Sequence, residues 1–258
     1  MDKLIILGAG TSINNSPSGY LLQYRNKNYL IDCSEDIRSR LKKINVDYFD
    51  IDFIFISHFH PDHFNVETLI QSQMVRNYRE KKNKVLNIYG PPEIGERLEK
   101  IWDVKHFPGH FKNNLPNFVK INMTEYENEK KITFDYLNLT PFAVEHGNMP
   151  AFALKFEFNK KTLVYSGDSK DCQGLKDACQ NADTLLLDTN DKINSLDSPT
   201  GHLNAITAGS IAKDSCSKQL ILTHLTGENS EKELIDAVKS SGFEGEITIA
   251  SDFLFLDL

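Results

Sequence analysis

The chain has 258 residues, of which 40% are apolar, 10% aromatic and 25% charged, a globular balance that excludes disordered, collagen-like and coiled-coil readings. With 29 basic against 36 acidic residues the net charge is −7, which argues against non-specific coating of nucleic acid while leaving room for a local anion site. The apolar run Leu4–Ala9 is far below the ~20 residues of a bilayer span. It passes into Thr11, Ser12, Asn14 and Asn15 without a cleavage-type site, so it reads as a first strand, and the cytoplasm, with no membrane partner, is the expected location.

Short strands follow at Lys3–Leu7, Tyr20–Tyr24 and Tyr29–Asp32, with a turn through Arg25, Asn26 and Lys27. Ser34, Glu35 and Asp36 open a helix to about Ile44, their side chains available as caps. Ile51–Ile56 is a near-continuous apolar strand, the pattern of burial on both faces. Val66–Lys82 has helical periodicity, then comes strand Val85–Tyr89 and a helix introduced by Pro91 and Pro92. From about Phe118 to Val164 the pattern is a run of strands. Beyond it helices (Leu175–Gln180, Asn204–Lys213, Glu231–Ser240) alternate with strands (Thr184–Asp188, Gln219–Leu222, Glu246–Ile249). No repeat or Pro/Gly/Ser-rich linker interrupts the chain, so residues 1–258 read as one domain. Two mixed halves around a strand-rich middle predict an α/β fold: a four-layer αββα sandwich, two mixed sheets face to face with helices on both outer faces. Cys33, Cys172, Cys179 and Cys216 form no Cys-x-x-Cys pair and read as buried or half-buried reduced thiols, the middle two on one helix face.

The segment Ser57-His58-Phe59-His60-Pro61-Asp62-His63 follows the buried strand directly and projects from a strand end into a loop. His58 and His60, two apart, can approach one cation from an extended backbone, and Asp62 and His63 can turn toward a second position beside it. A metal site needs more ligands than one loop supplies. Downstream, His146, Asp168 and His224 each sit where a predicted strand stops.

This set resembles the metallo-β-lactamase superfamily, in which a His-x-His-x-Asp-His segment and later His, Asp and His residues hold two metal ions. By that resemblance His58, His60 and His146 bind one metal, Asp62, His63 and His224 the other, and Asp168 bridges them; Asp62 also counts with the catalytic groups. It covers the chain from Leu7-Gly8-Ala9-Gly10-Thr11-Ser12 to His224. Imidazoles and carboxylates suit two divalent ions, zinc first, manganese or iron as alternatives. Such a centre acidifies water and attracts anions, so an acidic protein can still bind a phosphate. Ser57, Asp32 and Glu145 are expected to orient ligand imidazoles, although Asp32 could equally cap the helix after it.

Thr200-Gly201-His202-Leu203-Asn204-Ala205 sets a further histidine before a helix, and Leu185-Leu186-Leu187-Asp188-Thr189 ends a strand in a carboxylate. The pair resembles the ribonuclease Z-like phosphodiesterases, which implies His202 as the general acid and Asp188 as its orienting partner. Leu7-Gly8-Ala9-Gly10 invites a dinucleotide reading, but Ile13 stands where a third glycine is required. Ribonuclease Z enzymes carry a long basic arm between the isolated His and the bridging Asp. Here 21 residues separate His146 from Asp168, which no arm fits and which is similar to the cyclic-phosphate phosphodiesterases of phosphonate degradation.

The expected function is therefore a dinuclear-metal phosphodiesterase acting on a small or nucleotidic diester, with hydroxide attacking phosphorus and His202 protonating the leaving oxygen. Ribonuclease Z-type tRNA 3′ processing is the second reading. A lactone or thioester hydrolase and a non-catalytic metal-binding carrier complete the alternatives. The hydrolase variant with a helical C-terminal addition has little room in the 34 residues after His224. RNA is a less favoured partner than a small diester, and relatives' habit of dimerising makes a homodimer one expectation. His106 and His110 flank a Pro-Gly turn that could wall or cover the site or pack its phenylalanines inward. Phe64, Asn65 and Asn148 lie beside ligands in sequence. The basic stretch Arg76–Lys84 reads as a solvated face.

Overall fold

The computed structural model describes residues 2–11, 13, 16–101, 120–193, 195 and 201–257. One sheet collects strands β1 (Lys3–Gly8), β2 (Gly19–Tyr24), β3 (Lys27–Ile31), β4 (Phe53–Phe55), β5 (Leu86–Gly90), β6 (Ile121–Glu125) and the late β14 (Phe255–Asp257). The other collects β7 (Ile132–Thr133), β8 (Asn138–His146), β9 (Met149–Phe158), β10 (Lys161–Tyr165), β11 (Thr184–Asp188), β12 (Gln219–Thr223) and β13 (Glu246–Ile249). Their orders are β14-β1-β2-β3-β4-β5-β6 and β13-β12-β11-β10-β9-β8-β7. Each sheet joins antiparallel neighbours on one side (β14 to β3, β7 to β10) to parallel ones on the other (β3 to β6, β10 to β13). Two hairpins turn on two residues of positive φ, Arg25-Asn26 (51° and 60°) and Asn159-Lys160 (46° and 63°), the handedness that matches strand twist.

Alternation along β1 shows how the layers form. Leu4 and Ile6 point into the space between the sheets with Tyr20, Ile31 and Phe55, against Leu154, Phe156, Leu163 and Tyr165 of the other sheet. Ile5 and Leu7 point the opposite way, under helices α1 (Ile37–Lys43), α2 (Glu67–Glu80) and α3 (Ile94–Ile101) through Leu41, Leu69, Ile70 and Leu98. The second sheet buries Val164, Leu185, Leu187 and Leu222 under α4 (Gln173–Cys179), α5 (Ala205–Asp214) and α6 (Glu231–Ser240). This is the expected αββα sandwich, and the continuous apolar strands are continuous because both faces are covered.

Local expectations differ in a few places. No side chain of Ser34, Glu35 or Asp36 caps α1: Asp36 holds the N-cap position in the left-handed region without a side-chain bond, and the Ser34 hydroxyl donates to the Pro17 carbonyl at 3.1 Å. Cys172 and Cys179 do bury in one cluster, but Cys216 is exposed. Helix α2 starts one residue later and ends two earlier than its periodicity suggests, and β14 returns to pair with β1 at the sheet edge. Among the described residues no helix is long and apolar enough to cross a membrane.

Candidate metal centre

Asp32, the Ser57–His63 segment, His146, Asp168, Asp188 and His224 lie at or just beyond the C-terminal ends of β3, β4, β8, β10, β11 and β12. Strands β3 and β4 run parallel, as do β10, β11 and β12, and β8 follows the same direction as β10 through their shared antiparallel neighbour β9. All these side chains therefore converge at one end of the sandwich, where open α/β sheets place their ligands.

His58, His60, His146 and Asp168 offer four ligand atoms within 4.8 Å of one another. His58 Nε2 and His146 Nε2 stand 3.1 Å and 3.0 Å from His60 Nδ1. A tetrahedral cation with nitrogen bonds of about 2.0–2.1 Å holds its ligands roughly 3.3 Å apart, so this spacing fits a metal. The opposite ring nitrogens are occupied: His58 Nδ1 by the Ser57 hydroxyl at 3.0 Å, and His146 Nδ1 by the Gly201 carbonyl at 3.0 Å. Both brackets aim Nε2 inward. Gly201 has φ +81°, and a Cβ there would stand 3.1 Å from His146 Nδ1, so a side chain would crowd this contact. Burial holds the His58 imidazolium well below the ordinary range and lowers that of His60, favouring the neutral rings that metals require.

Asp62, His63 and His224 form a second group within the same 4.8 Å limit. Asp168 spans the two: its Oδ2 lies 3.6 Å from His58 Nε2, 3.7 Å from His146 Nε2 and 3.4 Å from His224 Nε2, and its Oδ1 lies 3.2 Å from His63 Nε2. That last approach lacks hydrogen-bond alignment, leaving His63 Nε2 and Asp168 Oδ1 buried without a hydrogen-bond partner. Unsatisfied buried polar atoms of this kind are what a shared cation would satisfy. Burial opposes ionisation of Asp168, yet His224, His63 and His58 outweigh it and hold the carboxyl well below its usual range. Burial likewise opposes a charged His63, but Asp168 and Asp32 outweigh it and raise its pKa well above the ordinary value.

Asp32 is the brace behind His63. It is fully buried, and it accepts from Ser57 N, Ser57 Oγ and Tyr165 Oη, each at 2.7 Å, with His63 Nδ1 also at 2.7 Å. The alternative of Asp32 as a helix cap is therefore set aside. Glu145 is corrected as well: it points to solvent and pairs with Lys170 at 2.6 Å. Behind His224, Ser18 Oγ stands 3.0 Å from Nδ1, and Tyr20 Oη reaches Thr223 Oγ1 at 2.8 Å. Gly167, at φ +58°, lets Asp168 enter: a Cβ there would stand 2.9 Å from Ser57 Cβ.

His202 sits at the mouth of this cluster, its ring centroid 5.0 Å from that of His146 and 5.3 Å from that of His224. Its Nδ1 lies 2.7 Å from Asp188 Oδ2, and its Nε2 lies 3.3 Å from the Asn190 side-chain nitrogen. Burial works against the imidazolium, but Asp188 prevails and its pKa is pushed up to about 9. His202 does not cap the helix after it: Asn204 does, accepting from Thr207 N at 2.9 Å.

The structure thus gathers His58, His60, Asp62, His63, His146, Asp168, Asp188, His202 and His224 at one place. Phe64 instead packs on Phe59, and the Asn65 backbone pairs with Cys33. Asn148 borders a cavity beside His60. His106, His110, Ser12 and Thr200 lie outside the described residues. Ser18, Tyr165, Asn190 and Arg97, all beside the cluster, carry no motif; only their three-dimensional position marks them.

The pattern of the beta-lactamase superfamily domain matches residues 27–225. The probable metallo-hydrolase YhfI of Bacillus subtilis is 26% identical over 94% of this chain and 93% of its own, and its crystal structure superposes with a TM-score of 0.83 at 24% identity over the whole of both chains. A ribonuclease Z of Methanosarcina mazei is 26% identical over 88% of each chain. The crystal structure of a diphosphatase of the PhnP family gives a TM-score of 0.74 at 19% identity, covering 100% of this chain and 98% of that one. With the domain pattern spanning both ligand groups up to His224, the chain belongs to the beta-lactamase superfamily.

Proposed function

We propose that this metallo-hydrolase of the β-lactamase fold is a phosphodiesterase acting on a small or nucleotidic diester, cyclic diesters included, with zinc as its metal. His58, His60 and His146 would hold one cation, Asp62, His63 and His224 the other, and Asp168 both. When bound, two divalent cations supply Lewis acidity toward a phosphoryl oxygen and lower the pKa of water toward ~7. The chain's own contribution is orientation and a proton. Asp188 accepts from His202 Nδ1 and favours the imidazolium, and the Nε2–H of that imidazolium is the proton that a departing alkoxide needs.

The observation that carries this reading is the His202–Asp188 pair at 2.7 Å, set against both His146 and His224 with the pKa of His202 raised to about 9. An alkoxide leaving group requires a proton donor, whereas the thiolate of a thioester leaves without one. The relative named ribonuclease Z acts on a phosphodiester by that name and supports the same class. Processing of tRNA is the second reading, supported by the Methanosarcina relative. Against it, the chain from His146 to Asp168 is spent on β9, β10 and their two-residue hairpin, so no RNA-gripping arm lies between those two residues.

Metal analysis of the purified protein, then a panel of 2′,3′-cyclic nucleotides, ribose cyclic phosphates, linear diesters and precursor tRNA, tests the proposal. Turnover of a small diester that vanishes in Asp168→Ala supports it and excludes a carrier role. Turnover of precursor tRNA alone, or of lactones alone, overturns it.

A further inference from the structure

Asn190 stands at the outer end of the His202 ring. Its amide Nδ2 lies 3.3 Å from His202 Nε2, the nitrogen opposite the one that Asp188 engages. Its backbone N–H donates to Asp188 Oδ1 at 3.0 Å, so one residue touches both members of the pair. The chain on either side is pinned. Thr189 N donates to the Thr223 carbonyl at 3.0 Å, one residue before His224, and Thr189 Oγ1 donates to the same oxygen at 3.1 Å. Asp191 N donates to the Leu203 carbonyl at 3.0 Å, one residue after His202. What stays free to turn is the half-buried side chain of Asn190.

The turn itself does not need that side chain. It is closed by the backbone N–H of residue 190 on the Asp188 carboxylate, a bond that any residue other than proline supplies. Among the described residues the Asn190 amide bonds to His202 alone. An amide suits this place for a chemical reason. A histidine that gives up its proton at Nε2 is a donor there before the step and an acceptor after it. The partner of that nitrogen must change roles with it, and a side-chain amide carries an acceptor and donors on one rotating group.

We propose that Asn190 is a positioning residue for His202, its amide turning over to hold Nε2 on both sides of the proton transfer. Before the step, Oδ1 accepts from Nε2–H and keeps the ring against Asp188; the leaving oxygen takes the place of Oδ1 when substrate binds. In the step, the Nε2–H bond breaks, an O–H bond forms on the leaving oxygen, and the N–H electron pair stays on Nε2. After the alcohol departs, Nδ2–H donates to that pair, with Nδ2 toward Nε2 as in the structure. A proton from water then restores the first arrangement. Asn190 carries no proton across and acts only through His202. The two-way bond rests on the geometry; delivery of the proton to an alkoxide rests on the phosphodiesterase reading.

The test is hydrogen exchange of the two ring N–H groups of His202, followed by NMR in metal-loaded, histidine-labelled protein at a pH where both are protonated. Nδ1–H, held by Asp188, is the internal control. Asn190→Ala should speed exchange of Nε2–H by about 2- to 10-fold, the worth of one hydrogen bond, and leave Nδ1–H unchanged. Asn190→Asp, which can accept but not donate, should keep Nε2–H protected. On an unactivated diester Asn190→Ala should lower kcat by about 2- to 10-fold, with a smaller loss on a nitrophenyl ester and no further loss in a His202→Ala background. Unchanged Nε2–H exchange in Asn190→Ala, equal acceleration of both N–H groups, or a kcat loss that persists without His202 overturns the inference. A diester panel with no turnover fails the phosphodiesterase reading alone, since the exchange rates do not depend on it.

Discussion

The two ligand groups are built from similar side chains but braced differently. In the group of His58, His60 and His146, the outer ring nitrogens meet neutral partners, the Ser57 hydroxyl and the Gly201 carbonyl, and His60 is half-buried beside the cavity. In the group of Asp62, His63 and His224, a fully buried carboxylate stands behind His63, and that carboxylate is itself gripped from the opposite sheet by Tyr165. A carboxylate behind an imidazole raises its basicity and fixes its orientation more strongly than a neutral acceptor does. The first group is therefore expected to exchange its metal more readily than the second, which has a buried carboxylate in support.

The largest effect should come from the residue the groups share. Asp168→Ala is expected to lower metal content in both and to remove turnover by several orders of magnitude, read by elemental analysis and assay. Next, His202→Ala should keep both metals and lose about 10²–10⁴-fold in kcat on an unactivated diester. On a nitrophenyl ester, whose leaving group needs no proton, the loss should be slight. Equal losses on both substrates would mean that His202 serves the metals and not the leaving group.

Asp32→Asn separates the groups directly. Asparagine tolerates the positive φ of 55° found at Asp32, so the fold should survive. Affinity in the His63 group should fall about 10- to 100-fold in a chelator competition, with the His58 group unchanged. The pH profile sharpens the assignment of His202. Because its pKa is raised, the imidazolium is present below, and is lost as pH rises through, about 9. Turnover of an unactivated diester should therefore fall on the alkaline side, and Asp188→Asn should move that limb to lower pH. The smallest effect belongs to Tyr165→Phe, which removes one donor from Asp32 and should cost about 1.5–3 kcal/mol in denaturant unfolding.

Much of this was legible along the chain. The six residues from His58 to His63 are local, and a strand ending in a loop presents them whatever the rest of the molecule does. His146, Asp168, Asp188 and His224 could be found because each closes an apolar strand, and strands of one direction deliver their ends to one side of a sandwich. The supporting contacts were not legible. Ser18 and His224 are 206 residues apart, Asp32 and Tyr165 are 133 apart, and neither pair leaves a spacing or a composition to read. Glu145 shows the converse: adjacency to His146 suggested a partner, but a strand turns successive side chains to opposite faces and sends it to solvent.

Hydrophobic periodicity and the chemistry of residue types determined the layers and the candidate ligands, because both are written in short windows of chain. Which tyrosine grips Asp32, and which serine stands behind His224, was decided only when the two sheets closed on each other. Those contacts are made across the seam between distant segments, where their strength depends on ångström distances and burial that local sequence does not encode.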